Sequence, residues 1–270
     1  MFEPLPEDLA RALSRAAPRL GACDRLRFVP ETGSTNDEAL RLAEAGAPDG
    51  TAVIADAQRA GRGRRGRAWF SPPGSGLYVS VVVRVGQVPV TLSLVTLAAG
   101  LASADAVTAA TGLPVELKWP NDLVVGRPWR KIGGILCESV GGGRVDAVIV
   151  GIGINRGAAA FPPDLGDRAT SIEAELGRFI DRAPLAVECL ACLADRMRQV
   201  RARDDEGICR DWRRLGRGGF GQAVRWQDQG VERTGIALDI DAAGALVVDA
   251  EGRTERIVGG EVLWDRRPHV

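Results

Sequence analysis

The sequence predicts an α+β fold: a mixed, largely antiparallel sheet flanked by helices, with a small all-β barrel at the C-terminal end. Three observations carry this expectation. Short β-branched runs, VELKW, DLVVG, KIGGILCE and VDAVIVGIG, follow one another with glycine-rich turns between them, a spacing that suits antiparallel pairing. Stretches with apolar residues at helical spacing, Leu92 to Ala110 and Pro184 to Arg203, are available to close that core, with Ile208 to Leu215 after them. After Gly216 the texture changes to short alternating strands, GFGQAVRWQ, ERTGIALDID, GALVVDA and ERIVGGEVLW, separated by Asp/Gly turns. A division near residue 215 follows, with residues 1–215 as the larger unit and 216–270 as the barrel.

Residues 1 to about 30 hold one short amphipathic stretch, Leu9 to Leu13, broken by Pro18 and Pro30 and too small for a separate domain. From Ser34 the segment STNDEALRLAEAG reads as a capped helix: a hydroxyl cap, acids in the first turn, apolar Ala39, Leu40, Leu42 and Ala43, then Gly46 as a stop. TAVIADA (51–57) and LYVSVVVR (77–84) read as strands, with the Gly/Arg-rich segment 61–67 between them.

Composition narrows the function classes. The 270 residues are 45% hydrophobic and 26% charged, enough to bury a sizeable core. Lys plus Arg and Asp plus Glu stand at 35 each, so no whole-molecule field draws the chain to nucleic acid or membrane, and charge recognition has to be local. No uninterrupted run approaches the ~18 apolar residues of a membrane span, and the acidic, proline-bearing start is unlike a secretory signal. The expectation is a cytoplasmic protein. The five cysteines are odd in number and scattered, which suits a reducing compartment; Cys189 and Cys192 lack the second pair of a zinc site, so no metal ligands are expected among them.

Three segments look chemical. In QRAGRGRRGRAWFSPPGSGLY (58–78), Arg62, Arg64, Arg65 and Arg67 alternate with Gly61, Gly63 and Gly66, mounting guanidinium forks on a backbone able to bend closely around an anion. A flexible solvated loop and a nucleic-acid patch are the competing readings, and the spacing is not that of a P-loop. Only two of the 35 basic residues are lysines, Lys118 and Lys131, both in one short stretch. Codon preference explains most of the arginine excess, but a compact ammonium does work a planar guanidinium cannot. KWPNDLVV (118–125) sets Lys118 and Asp122 four apart around Pro120, and Lys131 opens a strand whose Gly133 and Gly134 permit close backbone approach; surface ion pairing is the bland alternative. VIVGIGIN (148–155) is a buried-type strand with Asn155 at its tip, where asparagine is ordinarily a turn former. The single histidine, His269, is the penultimate residue and is given no catalytic part.

In this order, these segments resemble the biotin protein ligases. The family's GRGRRGRxW is present as Gly61 to Trp69, its KWPND as Lys118 to Asp122, its K-x-x-G-I-L as Lys131 to Leu136 and its GxGxN as Gly151 to Asn155; Ser34 to Asn36, Gln58 and Gly259 to Glu261 also match. The resemblance runs from Ser34 to Trp264. Pro128 and Trp129, inserted before Arg130, are a minor departure that lengthens one turn.

The resemblance implies a core like that of class II aminoacyl-tRNA synthetases and biotin ligases, and a C-terminal SH3-like barrel. It implies formation of biotinyl-5′-AMP from biotin and ATP with Mg²⁺, then transfer of biotin to a lysine of a biotin carboxyl carrier domain. Ser34, Thr35, Asn36 and Gln58 would then bond the ureido group and tail of biotin. Arg62, Gly63 and Arg64 would meet biotin and the adenylate phosphate, Asn155 the nucleotide, with Thr170 and Ser171 near the adenine. Trp69 would pack over the ligand, whereas Trp119 reads as core; Lys131, Gly133 and Gly134 complete the binding set.

Lys131, Asp122, Arg64 and Lys118 are the expected catalytic residues. A carboxylate is already ionised at neutral pH, with a pKa near ~4–5, so activation needs anions screened more than a base. Aminolysis does need the amine deprotonated, and Asp122 is the candidate for removing that proton or holding the amine in line, with Lys131 stabilising the acyl oxygen and leaving AMP. A lipoate or octanoyl ligase is the nearest rival, and its pattern with an internal histidine is missing here. Only 33 residues precede Ser34, too few for a winged helix-turn-helix, so a ligase without DNA binding is expected. Sheet-edge dimers in the family admit a homodimer.

Overall fold

Alternating apolar runs force a sheet with two covered faces. The computed structural model describes residues 2–85, 91–141, 145–157, 161–163 and 165–264. Strands β1 (Leu26–Thr32), β2 (Ala52–Gln58), β3 (Gly76–Arg84), β4 (Glu116–Lys118), β5 (Asp122–Val125), β6 (Arg130–Val140) and β7 (Ala147–Asn155) lie in the order β1-β2-β3-β7-β6-β5-β4. Every neighbouring pair is antiparallel except β1 on β2, which is parallel. The period of two divides β2: Val53 and Ala55 join Val82 and Ile149 beneath helix α2 (Thr35–Glu44), while Ala52 and Ile54 face the larger core.

That larger core packs against α1 (Glu7–Leu20), α3 (Leu92–Thr111), α5 (Arg182–Arg201) and α6 (Asp205–Gly216). By length and composition α3 could cross a membrane, yet 67% of its apolar window is buried in this core. A buried helix is apolar all round for the same reason as a membrane helix.

Four details depart from the sequence reading. Pro18 lies inside α1 and does not break it, because Leu9, Leu13, Ala16 and Leu20 bury a continuous stripe that outweighs one lost backbone bond near the helix end. Strand β1 was not foreseen, since Pro30 argues against a strand; it survives as a sheet edge, where a missing donor is tolerated. Ser34 occupies the N-cap position of α2, but its hydroxyl makes no capping bond. The short α4 (Ile172–Leu176), capped by Ser171, was also unanticipated.

The C-terminal strands β8 (Ala223–Asp228), β9 (Val231–Ile240), β10 (Leu246–Ala250), β11 (Arg253–Ile257) and β12 (Val262–Trp264) form an antiparallel sheet ordered β11-β10-β9-β8-β12. Its Val224, Trp226, Ala237 and Leu246 share one core with Ile208 and Trp212 of α6. Trp119, 3% exposed, donates from Nε1 to Gly244 O at 3.0 Å, so it is core as expected. The inserted Trp129 does more than lengthen a turn: it meets Trp264 edge-on at 6.0 Å, with Arg127 over its ring at 5.1 Å. His269 lies outside the described residues.

All five thiols are unpaired. Burial, helped by Asp49, pushes Cys23 from its ordinary 9.0 up to about 12, and burial raises Cys189 as well. A folded-state pKa above the unfolded one favours the protonated fold, so this contribution is complete below about pH 9 and declines as pH rises towards 12. Urea midpoints measured from pH 7 to 10.5 should fall above about pH 9, and Cys23→Ala should flatten part of the slope; an unchanged slope would count against the buried thiol as its source.

Candidate functional site

The antiparallel register of β3, β7 and β6 aligns Ser80 with Gly151 and Leu136, and Tyr78 with Gly153 and Gly134. Small residues on this face leave a floor beside α2. A Cβ at Gly151 would occupy the space of Asn36 Oδ1; one at Gly153 would come within 2.6 Å of Trp69 Nε1, and one at Gly134 within 3.2 Å of Lys131 Nζ. Three segments distant in sequence therefore lie directly on glycine.

The first is Ser34–Thr35–Asn36, all at most 4% exposed. Gln58 Oε1 accepts from Thr35 N at 2.8 Å and Thr35 Oγ1 at 3.1 Å, while Gln58 Nε2 donates to Ser71 Oγ at 2.9 Å. Fully buried Ser80 lies 2.8 Å from Thr35 Oγ1 and 2.6 Å from Asn36 Oδ1. Asn36 Nδ2 donates to Glu138 Oε2 at 2.6 Å and Leu136 O at 3.3 Å. Donors and acceptors for a small polar head group are thus fixed before any ligand arrives.

The arginine loop closes on itself. Trp69 N donates to Gly61 O at 2.8 Å, Gly63 N to Arg67 O at 2.7 Å and Arg67 N to Arg64 O at 3.3 Å. Arg65 and Gly66 turn the chain through φ of 58° and 73°. The four guanidinium groups then separate. Arg62 pairs with Asp37 and Glu138, and the hydrogen bond to Asp37 raises its pKa against the pull of burial. Arg65 and Arg67 turn to Glu261 of the C-terminal unit. Among the described residues no carboxylate pairs with Arg64; burial lowers its pKa, Asp122 opposes that, and its one polar contact is Asn121 Oδ1 at 3.5 Å. Arg64 is the loop's uncompensated charge.

Lys131 forms an ion pair with Asp122 and lies 5.3 Å from the centre of the Trp69 ring, whose buried Nε1 has no partner among the described residues. The β5–β6 pairing shifts register between Leu123 and Val124, which brings Lys131 opposite Val124, two residues from Asp122. Lys118 is the cross-strand neighbour of Asp122. Gly133 and Gly134 pair with Ile154 and Gly153, and Asn155 Nδ2 donates to Thr170 O at 3.0 Å. Thr170 and Ser171 are buried, Ser171 as the cap of α4.

The expected residues therefore converge, and some are already engaged within the protein. Arg62 faces carboxylates, and Ser171 caps a helix. Reading motifs one at a time missed Asp37, Ser80, Asn121 and Glu138. Asn121 stood within KWPND; its Nδ2 donates to Ile135 O at 2.8 Å while its Oδ1 faces Arg64. Glu138 was legible only by counting alternate residues along β6 from Gly134.

Two family models match the chain: the Biotin/lipoate A/B protein ligase family over residues 26–155, and the Biotin protein ligase C terminal domain over 219–263. The Biotin--[acetyl-CoA-carboxylase] ligase of Mycobacterium tuberculosis is 37% identical over 246 residues, covering 88% of each chain. The solved biotin protein ligase from Aquifex aeolicus in complex with biotin and ATP superposes with a TM-score of 0.78 at 28% identity, over 90% of this chain and 99% of that one. The biotin protein ligase of Leishmania major in complex with biotinyl-5-AMP gives 0.61 at 29% identity, over 86% and 98%.

Gly151→Ala should displace Asn36 and leave buried polar groups unmet, a loss of about 1–3 kcal/mol by urea denaturation. Adding Asn36→Ala should recover part of it, because the clash partner is gone. Strict additivity of the two substitutions would show that they do not meet.

Proposed function

The chain belongs to the biotin protein ligases of the biotin/lipoate A/B protein ligase family, and from that membership we propose that it joins biotin to AMP with release of pyrophosphate, then passes the biotinyl group to a lysine of a biotin carboxyl carrier domain. One observation carries this: a prebuilt polar cluster and a single uncompensated guanidinium, Arg64, share one glycine floor. Such a site takes an uncharged polar head at one end and an anion at the other.

In this reading Thr35, Asn36 and Gln58, beside Ser34, exchange their mutual hydrogen bonds for the ureido group and tail of biotin. Gly63 lets the loop backbone approach, and Trp69 covers the ligand. Arg64 screens the biotin carboxylate and the α-phosphate as they approach, which is the main barrier between two anions. Arg62, engaged by two carboxylates, anchors the loop. Lys131 stabilises charge on the acyl oxygen and on departing AMP, with Gly133, Gly134 and Asn155 along the nucleotide. Asp122, paired with Lys131 before substrate binds, accepts or orients the proton of the incoming amine, beside Lys118.

Magnesium is expected to arrive on the nucleotide. No group of three His, Cys, Asp or Glu side chains gathers among the described residues, and magnesium bound through triphosphate needs at most one or two protein carboxylates. When bound it would neutralise triphosphate charge. We keep a division near residue 215, which the end of α6 at Gly216 and the start of β8 at Ala223 support. Net neutrality supports a protein partner over DNA or membrane, and unpaired thiols support a cytoplasmic setting. A homodimer joined along a sheet edge is part of the same reading, and sedimentation measures it.

Purified chain with ATP and Mg²⁺ should release pyrophosphate with biotin and not with lipoate; silence with both would overturn the reading. Lys131→Ala should slow adenylation by about 10²–10³ with circular dichroism unchanged. Arg64→Ala should release biotinyl-AMP roughly 10-fold or more faster in a chase experiment, as expected for a lost charge-assisted bond; unchanged release would make the loop structural.

A further inference from the structure

Glu138 stands where two ligand-facing segments meet and belongs to neither. Its carboxylate accepts from Arg62 Nη2 at 2.9 and 3.1 Å and from Asn36 Nδ2 at 2.6 Å, joining the arginine loop to the Ser34–Asn36 segment across the end of the floor. Asp37 takes the other Arg62 nitrogen, so one guanidinium is gripped from both sides. Asn36 is fixed in turn by Ser80 at 2.6 Å.

The charges make this arrangement informative. One arginine against two carboxylates brings no net positive charge to the cleft, so Arg62 is not disposed to serve an anion as Arg64 is. The side chains of Arg62, Asp37 and Glu138 are 35%, 37% and 39% exposed, where ion pairs add little to global stability. A guanidinium whose Nη2 is shared by both Glu138 oxygens while its Nη1 is held by Asp37 is nevertheless constrained in direction, so the pair fixes geometry even where it adds little energy. The loop's backbone bonds from Gly61 to Trp69 are internal and shape it, while its other guanidinium groups reach Glu261 and Asn121, neither of which touches the Ser34–Asn36 segment.

We infer that Glu138 is a positioning residue: by clasping Arg62 while holding Asn36, it registers the arginine loop against the biotin-facing segment, so that Arg64 and the polar cluster meet one ligand together. The inference rests on the ligase reading and adds a residue to it. Glu138 itself touches no reacting group. Its loss is therefore felt in retention of the adenylate and in loop order, with little change in the unfolding midpoint.

The test uses the full chain with Glu138→Ala, Glu138→Gln, Arg62→Ala and the double substitution Arg62→Ala/Glu138→Ala. Glu138→Ala should raise amide exchange across residues 61–69 in the ligand-free protein, leave the urea midpoint in place and speed biotinyl-AMP release about 10-fold. Glu138→Gln, which keeps an acceptor but not the charge, should fall between Ala and wild type. The double variant should release no faster than Arg62→Ala, because both remove one clasp. Additive effects, or unchanged exchange at 61–69, would overturn the clasp. Wild-type chain that forms no adenylate would instead overturn the ligase reading, while the exchange arm, which needs no ligand, still judges the clasp separately.

Discussion

The register of β3 against β7 and of β7 against β6 is the constraint on which the site depends. A slip by one residue would turn Gly134, Gly151 and Gly153 away and raise branched side chains in their place. Register is held by the opposite face, where alternate residues of the same strands are locked beneath α3 and α5. The apolar core thus sets which face offers glycine, and the glycines set how closely Asn36, Trp69 and Lys131 approach the backbone.

On that floor the arginines differ although the sequence repeats them. Arg62, Arg65 and Arg67 are taken up by carboxylates from α2, β6 and the C-terminal unit, and Arg64 has no carboxylate partner among the described residues. Burial makes an unshared guanidinium costly, and an incoming anion removes that cost, so ligand and protein each relieve the other's desolvation. Asn121 gives Arg64 a neutral partner meanwhile.

Much of this was legible in the residues. STN, the arginine loop, KWPND, K-x-x-G-I-L and GxGxN are local patterns, and the strand and helix periods around them are strong, so the segments that meet on the glycine floor and the α+β class could be read directly. What escaped depends on tertiary neighbours. Pro18 and Pro30 argue locally against the helix and strand that contain them, and packing overrode both. Glu138 and Asp37 are ordinary acids until the fold sets Arg62 between them, and Ser80 is an ordinary strand hydroxyl until α2 covers it. Ser34 fits the cap pattern without making the bond, because the pattern specifies residue type and not rotamer.

Beyond the core it shares with α6 and the Trp119–Gly244 bond, the C-terminal sheet touches two parts of the site's surroundings: Trp264 lies against Trp129 on the β5–β6 turn, and Glu261 holds Arg65 and Arg67 at the far end of the arginine loop. Both of these contacts come from one short stretch of chain ending at β12. A tilt of that unit would therefore pull on the hairpin carrying Asp122 and Lys131 and on the loop carrying Arg64 in a single motion, coupling the cleft's two walls mechanically through a module that lies outside it.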